Sequence, residues 1–491
     1  MAALEFCLPP EHAGQLARMP FLGRQRARPA NADRVWFDTA DAALDRQGLS
    51  LCEQRGIWQL EVSRPRPGQP WVNAMPPLIL AEAPDLEHLA HSSGHAIAAP
   101  LIPLAAFSGR RRVWTIAGPD EGELACTLTL IEGALRGVRE ERQVCRVVMD
   151  GPPDRLLALS STVSASMRLT APRCSLASEA AALARGQIPE NRPKGLPAVL
   201  PGTSLTDAVA TVLGHLTDVI LTSAATAGDG HTTEPVHQMR VAVRRLRSAL
   251  AVFRRAAGGP VFDDIDAQLK YFAAVLGRAR DWDVFLHGTG AAVLAALPDD
   301  ARVLSMLTAA ARRRAVAYAE LRSVLAGEVF RTMEIALVQA TALRLWEVDA
   351  DADQAALLQR DTKAYASRML DHQLARMKAT GNCISDMPVD VLHSIRKAGK
   401  RMRYACEFFA PLYGRRAALQ FIARLAALQE ALGHLNDLGA AGGLMAGLGT
   451  GPGRQFAAGA VQGWVAAHGG DTRRNIAGTW KRFRRQEPFW I

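Results

Sequence analysis

Lysine is scarce in this chain: of 58 basic residues only seven are Lys, and Arg supplies the rest. Cysteine is sparse too. Its seven positions, 7, 52, 126, 145, 174, 383 and 406, form an odd, scattered set with no CxxC pair. That excludes a disulfide framework or a zinc site and fits a reducing cytoplasm. No stretch approaches the roughly 20 apolar residues that a membrane span needs. The opening residues, Met1 to Pro10, lack a basic segment followed by an apolar core, so no signal peptide is expected. Extremes of composition are also missing. Hydrophobic residues make up 49% and charged residues 22%, which excludes a disordered, collagenous or coiled-coil chain as a whole. At about 150 residues per domain, 491 residues make two or three domains.

What is present is a located charge. The net charge is +10. Residues 1–200 carry 22 basic and 21 acidic residues, and 201–491 carry the remaining 36 and 27. The basic excess therefore lies in the C-terminal part and points to an anionic partner. The preference for Arg has two readings. One is a compositional bias, since Arg is plentiful in the near-neutral N-terminal part as well. The other is bidentate oxyanion binding, which suits the guanidinium fork.

The first 150 residues read mainly as strands. Trp58–Ser63 and Leu124–Leu130 alternate with period two, and Val35–Phe37 and Val144–Val148 are β-rich. Pro and Gly clusters at 64–70, 117–122 and 150–153 separate these runs, and Leu86 with Leu89 marks one short helix. An antiparallel sheet or barrel is expected. Prolines at 189, 193, 197 and 201 make 186–203 an interdomain linker. From about 204 onward the pattern is helical, with apolar residues at three- and four-residue steps. The Gly-rich stretch 439–453 is expected to break two helices.

The helical part repeats itself. His237-Gln-Met-Arg240-Val-Ala-Val-Arg244-Arg245-Leu-Arg247 aligns with His393-Ser-Ile-Arg396-Lys397-Ala-Gly-Lys400-Arg401-Met-Arg403 at an offset of 156 residues. The same offset carries Leu276-Gly277-Arg-Ala-Arg-Asp281 onto Leu432-Gly433-His-Leu-Asn-Asp437. At about 100° per residue, His237, Arg240, Arg244 and Arg247 share a face opposite Met239, Leu246, Leu250 and Phe253. His393, Arg396, Lys400 and Arg403 repeat that stripe opposite Ile395, Met402, Cys406 and Phe409. Arg245 and Arg401 lie on the flank. A run of charge is commonly a solvated face. Here, however, no acid falls between 237 and 262 or between 391 and 406 to form one-turn pairs. Like charges at that spacing repel unless an anion compensates them. The two stripes are therefore candidate anion sites, with each histidine a hydrogen-bond donor to the same anion. Asp281 and Asp437 read as loop or N-cap residues, or as orienting partners for an arginine.

The H-x-x-R-x-x-x-[RK]-R-x-R helix, its second copy, the L-G-x-x-x-D segments and the ending Trp480-Lys-Arg-Phe…Pro488-Phe-Trp490 together resemble the CHAD (conserved histidine α-helical domain) family over about 204–491. The resemblance implies two four-helix bundles about a pseudo-twofold axis, binding inorganic polyphosphate in a basic groove. It implies as ligands His237, Arg240, Arg244, Arg247, His393, Arg396, Lys400 and Arg403, with Arg245, Lys397 and Arg401 as a second tier.

Phe37-Asp38-Thr39-Ala-Asp41-Ala-Ala-Leu44…Gly48-Leu49-Ser-Leu51 is similar to the CYTH, or triphosphate-tunnel, family. That resemblance implies an eight-stranded barrel in which glutamates hold a divalent metal and Lys and Arg hold a triphosphate. Most of those residues are replaced. The family's E-x-E-x-K reads Glu5-Phe-Cys7-Leu-Pro9, and its L-R-x-R reads Leu51-Cys52-Glu53-Gln54, with Arg55 one position on. A basic T-x-K reads Leu60-Glu61-Val62-Ser63, and the late E-x-E reads Gln143-Val-Cys145-Arg-Val147. A metal-dependent hydrolase lacks its apparatus without these groups.

The chain is thus expected to be an α+β multidomain protein. A degenerate CYTH-like antiparallel β-barrel spans 1–185, a linker 186–203, and an all-α CHAD domain of two related four-helix bundles 204–491. The expected function is binding of inorganic polyphosphate in the cytoplasm, in association with polyphosphate granules, with no catalysis, cofactor, metal or membrane partner. Two alternatives are an inorganic triphosphatase in the barrel and a nucleic-acid binder. The latter wants stacking aromatics among the basic residues, and Tyr404 is the only one in the stripes.

Overall fold

In the computed structural model the chain is described over residues 2–23, 26–63, 77–80, 84, 86–94, 97, 99–117, 125–187, 195–197, 199–228, 230, 232–379, 381, 384, 387–449 and 451–491, the side chains of 23, 86, 88, 93, 389–390, 434–441 and 468–473 excepted. The Pro/Gly clusters at 64–70 and 118–122, most of the expected linker, Cys383 and the Asp437 side chain lie outside the described residues. Two compact units emerge: residues 1–195 with 331–349, and residues 196–330 with 350–491.

Among the described residues the first unit has nine strands: β1 (Ala2–Cys7), β2 (Arg28–Asn31), β3 (Arg34–Thr39), β4 (Leu49–Gln54), β5 (Ile57–Val62), β6 (Leu78–Leu80), β7 (Leu101–Ile116), β8 (Cys126–Arg136) and β9 (Glu141–Gly151). They form one curled antiparallel sheet in the order β1-β9-β8-β7-β3-β4-β5-β6, with β2 paired to β7. The expected barrel is realised as a half-barrel. Four short helices punctuate the strands: α1 (Ala13–Leu16), α2 (Pro20–Gly23), α3 (Ala43–Arg46) and α4 (Leu86–Ser93). Two longer ones follow, α5 (Pro153–Ser166) and α6 (Leu176–Ala184).

Strand register sorts the side chains, because directly opposed residues share a face and neighbours alternate. Glu5 and Cys7 oppose Val148 and Arg146; Arg34 opposes Phe107; Trp36 opposes Cys52; and Cys52 opposes Gln59. One face therefore carries Glu5, Arg34, Trp36, Cys52, Glu61, Phe107 and Arg146. Gln143 and Cys145 point the other way. The residues of β9 that share the face of Glu5 are Val144, Arg146 and Val148, which corrects the late E-x-E reading by one position. Arg55 is no substitute for a strand arginine either. It sits exposed in the two-residue β4–β5 hairpin turn, where it has φ 56° and Gly56 φ 80°, the left-handed pair such turns require.

Helix α6 covers that face. Its alanines allow close approach, and Ala177, Ala180 and Leu183 pack on Trp36, Cys52, Phe107, Leu135 and Val144. Burying rings such as Trp36 and Phe107 contributes about 2–3 kcal/mol each. Both ends of α6 are fastened. The N-cap hydroxyl of Ser175 accepts from the Ser178 N–H and donates to the Ser63 carbonyl. Beyond the C-terminus, Arg185 pairs with Asp45 at 2.6 Å and with Asp38 at 3.2 Å. Asp38 also accepts from the N–H groups of Thr39, Leu44 and Asp45. The Phe-Asp-Thr segment thus has a structural task, closing the turn into α3.

The second unit is helical: α7 (Leu205–Ala227), α8 (Glu234–Ala257), α9 (Pro260–His287), α10 (Thr289–Ala296), α11 (Ala301–Ala326), α12 (Glu328–Ala342), α13 (Leu345–Val348), α14 (Ala352–Leu358), α15 (Thr362–Lys378), α16 (Val389–Phe409), α17 (Arg415–Ala446) and α18 (Pro452–Arg484). Of these, α13 and most of α12 belong to the first unit. The boundaries follow local signals. Ser204 caps α7 by accepting from the Asp207 N–H. Gly258-Gly259-Pro260 ends α8 and starts α9 with Pro in its first turn. The Gly-rich stretch does separate α17 from α18.

The repeat extends to whole helices. Shifting by 156 residues lays α7, α8, α9 and α11 over α15, α16, α17 and α18. Within each set successive helices pack on one another, and α8 also packs on α16. Asp283, fully buried on α9, binds Arg314 of α11 at 2.6 Å and accepts from the Tyr318 hydroxyl at 2.9 Å. The C-terminal tail is anchored as well: Trp490 donates through Nε1 to Asp371 at 2.8 Å and stacks edge-on with Phe421 and Phe489. Among the described helices α7 is long and apolar enough to cross a membrane, but 67% of its most apolar window is buried in the protein.

Candidate anion site on the repeated helices

Both stripe helices bury the expected faces. Met239, Leu246 and Phe253 of α8 and Ile395, Met402, Cys406 and Phe409 of α16 are all buried; Leu250 is only partly so. His237, Arg240, Arg244, Arg245 and Arg247 are half-buried, as are Arg396, Lys400 and Arg403, whereas His393, Lys397 and Arg401 are exposed.

Contact between α8 and α16 joins the two stripes. Burial lowers the pKa of the Arg240 guanidinium; Asp281 opposes the shift, and Arg244, Arg280 and Arg396 add to it. Arg240 of one copy thus lies within electrostatic reach of Arg396 of the other. Arg245 of α8 reaches across to Glu407 of α16 at 3.2 Å, and Arg403 meets the same carboxylate at 3.3 Å. Tyr404 is buried there, with the guanidiniums of Arg245 and Arg403 at 5.6 and 5.5 Å from its ring centroid.

The stripes are not uncompensated, as their own segments implied. Arg247 makes a two-pronged contact with Asp266 of α9 at 2.7 and 3.2 Å, and Glu407 serves Arg245 and Arg403. A window on one helix cannot show an acid arriving from another. The cations divide accordingly: Arg245, Arg247 and Arg403 are engaged by protein carboxylates at 2.7–3.3 Å, whereas toward the α8 N-terminus Arg240 has its carboxylate, Asp281, at 3.7 Å. There the Nε of Arg244 is buried without a hydrogen-bond partner. Arg280 of α9 bears on both His237 and Arg240.

Sequence reasoning missed Arg280. Its signal was its place in the repeated L-G-x-x-x-D segment, but the second copy has Asn436 there. The structure also explains that segment. Asp281 is neither a loop nor an N-cap residue but lies inside α9, 3.7 Å from Arg240. A Cβ on Gly277 would stand 2.8 Å from Nη1 of Arg240. The glycine makes a seat for the guanidinium and the aspartate, one turn on, orients it. Gly277→Ala should therefore leave stability within about 1 kcal/mol, since the far end of a flexible side chain can move. It should weaken anion binding by about three- to tenfold, read by calorimetric titration beside thermal melting.

With this geometry in view, comparison with known proteins identifies the class. The CHAD domain model matches residues 207–446. The crystal structure of the CHAD domain from the plant Ricinus communis is similar with a TM-score of 0.52 and 26% identity, over 61% of this chain and 99% of that one. The chain carries a CHAD domain. PptA from Streptomyces chartreusis is similar at 15% identity and TM-score 0.42, over 57% of this chain and 100% of that one. A putative adenylate cyclase from Bacillus halodurans aligns at 14% identity and TM-score 0.15, over 30% of this chain and 79% of that one. Among curated proteins nothing matches.

Proposed function

We propose that the protein binds inorganic polyphosphate on the α8–α16 surface and performs no catalysis on it. The observation that carries this reading is the convergence of Arg240, Arg244 and Arg280 with Arg396 of the second copy. Such clustering is unfavourable by itself and becomes favourable when a polyanion bridges the cations. Arginine forks suit phosphate oxygens. The CHAD resemblance, which implies polyphosphate as ligand, points the same way.

The first unit supports the absence of catalysis. Glu5, the one family glutamate retained, is held by Arg146 at 3.1 Å, and the other amino group of Arg146 binds Glu179 of α6 at 2.7 Å. Burial raises the pKa of Glu5 despite Arg146. A carboxylate so engaged is poorly placed to hold a metal. A nucleic-acid reading is disfavoured by Tyr404, which is buried beneath two arginines and cannot stack on a base.

The test is calorimetric titration of the full-length protein with long-chain polyphosphate, repeated in the presence of single-stranded RNA. A parallel assay follows phosphate release from tripolyphosphate with Mg²⁺ or Mn²⁺. Saturable binding that RNA does not displace, without turnover, is expected. Metal-dependent turnover abolished by Glu5→Ala, or RNA binding as tight as that of polyphosphate, would sink the reading.

A further inference from the structure

The position of His237 sets it apart from the other basic groups of the stripe. It is half-buried on the face of α8 that carries Arg240 and Arg244, and at Arg240 this face meets Gly277 and Asp281 of α9. The four charges that bear most on its imidazole are Glu234, Arg240 and Arg244 of α8 and Arg280 of α9. From α16, Arg396 bears on Arg240; α7 and α14, also packed on α8, supply none of the four. Three cations thus stand against Glu234, which is exposed, and against Asp281 of α9, which lies 3.7 Å from Arg240. Arginine does not discharge near neutral pH. The imidazole is the one basic group of this cluster that can.

We propose that His237, Arg240, Arg244 and Arg280 form a proton-coupled phosphate subsite, at which an oxyanion of the polyphosphate chain is captured together with one proton taken up on His237. The inference rests on the polyphosphate reading above and adds to it how the site responds to pH. In the free protein, burial and then Arg280 lower the imidazole's pKa, which favours the neutral ring. An arriving phosphate reverses the local sign. The ring then accepts a proton, and both its nitrogens become donors. No bond is broken; the proton comes from solvent. The copies are unequal in this respect, because His393, at the equivalent position, is exposed.

The sign of the linkage follows. Binding consumes a proton, so affinity rises as pH falls through the ordinary imidazole range near ~6.5, by at most about tenfold per pH unit. The experiment is titration of the full-length protein with long-chain polyphosphate, whose internal phosphates do not titrate in this range. It is run from pH 6 to 8 in pairs of buffers with different ionisation enthalpies, which reports the protons taken up. Uptake approaching one proton per His237 subsite is expected. In His237→Asn most of it should be lost while binding persists through the arginines, and in His393→Asn most of it should remain. Binding without buffer dependence, or uptake undiminished in His237→Asn, overturns the proposal and leaves the polyphosphate reading standing. No binding at any pH overturns both.

Discussion

Reversing two charges on one helix, Arg240→Glu with Arg244→Glu, should weaken polyphosphate binding by about 10²–10⁴-fold. Each charge-assisted hydrogen bond contributes about 1.5–3 kcal/mol, and two are lost. The salt dependence should flatten as well, because fewer counterions are released when fewer cations engage the chain. Altering Arg396 and Lys400 in the same way should give a comparable loss. The reach of Arg240 to Arg396 makes a stronger claim: the two pairs of changes are non-additive, because both bear on one bound ligand. Isothermal titration of the two double variants and the quadruple variant at several salt concentrations measures this. Two independent sites, each lost alone with the other at full affinity and an unchanged salt slope, would contradict the joined surface.

The largest effect on stability is expected at Arg146. Its side chain is only 4% exposed, and it holds Glu5 and Glu179 while donating to the Cys174 carbonyl at 3.3 Å. Arg146→Met keeps much of the volume but leaves two carboxylates facing each other in a region where burial already raises the pKa of Glu5. Breaking a buried pair from one side costs about 3–5 kcal/mol. The first unit should unfold at markedly lower urea, followed by tryptophan fluorescence. Adding Glu5→Gln and Glu179→Gln should recover much of the loss, because no unpaired charge then remains. If Arg146→Met alone left the transition in place, the pairing would contribute little.

The helical half was legible because its information is local and duplicated. Two segments at one offset revealed two copies of one unit, the four helices in each came from the CHAD resemblance, and the apolar face of α8 followed from its spacing. The first half was legible as strands, yet β7, the strand at the middle of the sheet, was missed; Pro103 and the run Arg110-Arg-Arg112 interrupt its alternation. The role of α6 was hidden for another reason. Its sequence, Leu-Ala-Ser-Glu-Ala-Ala-Ala-Leu-Ala, says helix but not which surface it covers. Within the site, the stripe residues were read from spacing. Their division into cations held by Asp266 and Glu407 and cations facing Arg280 needed α9 and α16 in place, and no one-helix projection contains that.

The interruption of the helical region by residues 331–349 bears on how the chain is made and dissected. Gln339 donates to the Ser160 hydroxyl of α5 at 2.8 Å, and the carboxylate of Glu334 accepts from the Ala171 N–H at 3.0 Å. These groups complete the first unit. During synthesis the Ala171 amide lacks its Glu334 acceptor, and the Ser160 hydroxyl, which donates to the Leu156 carbonyl within α5, lacks its Gln339 donor, until the entire first copy of the helical repeat has left the ribosome. A cut at the Pro-rich stretch would separate the order of the residues, but not the folding units.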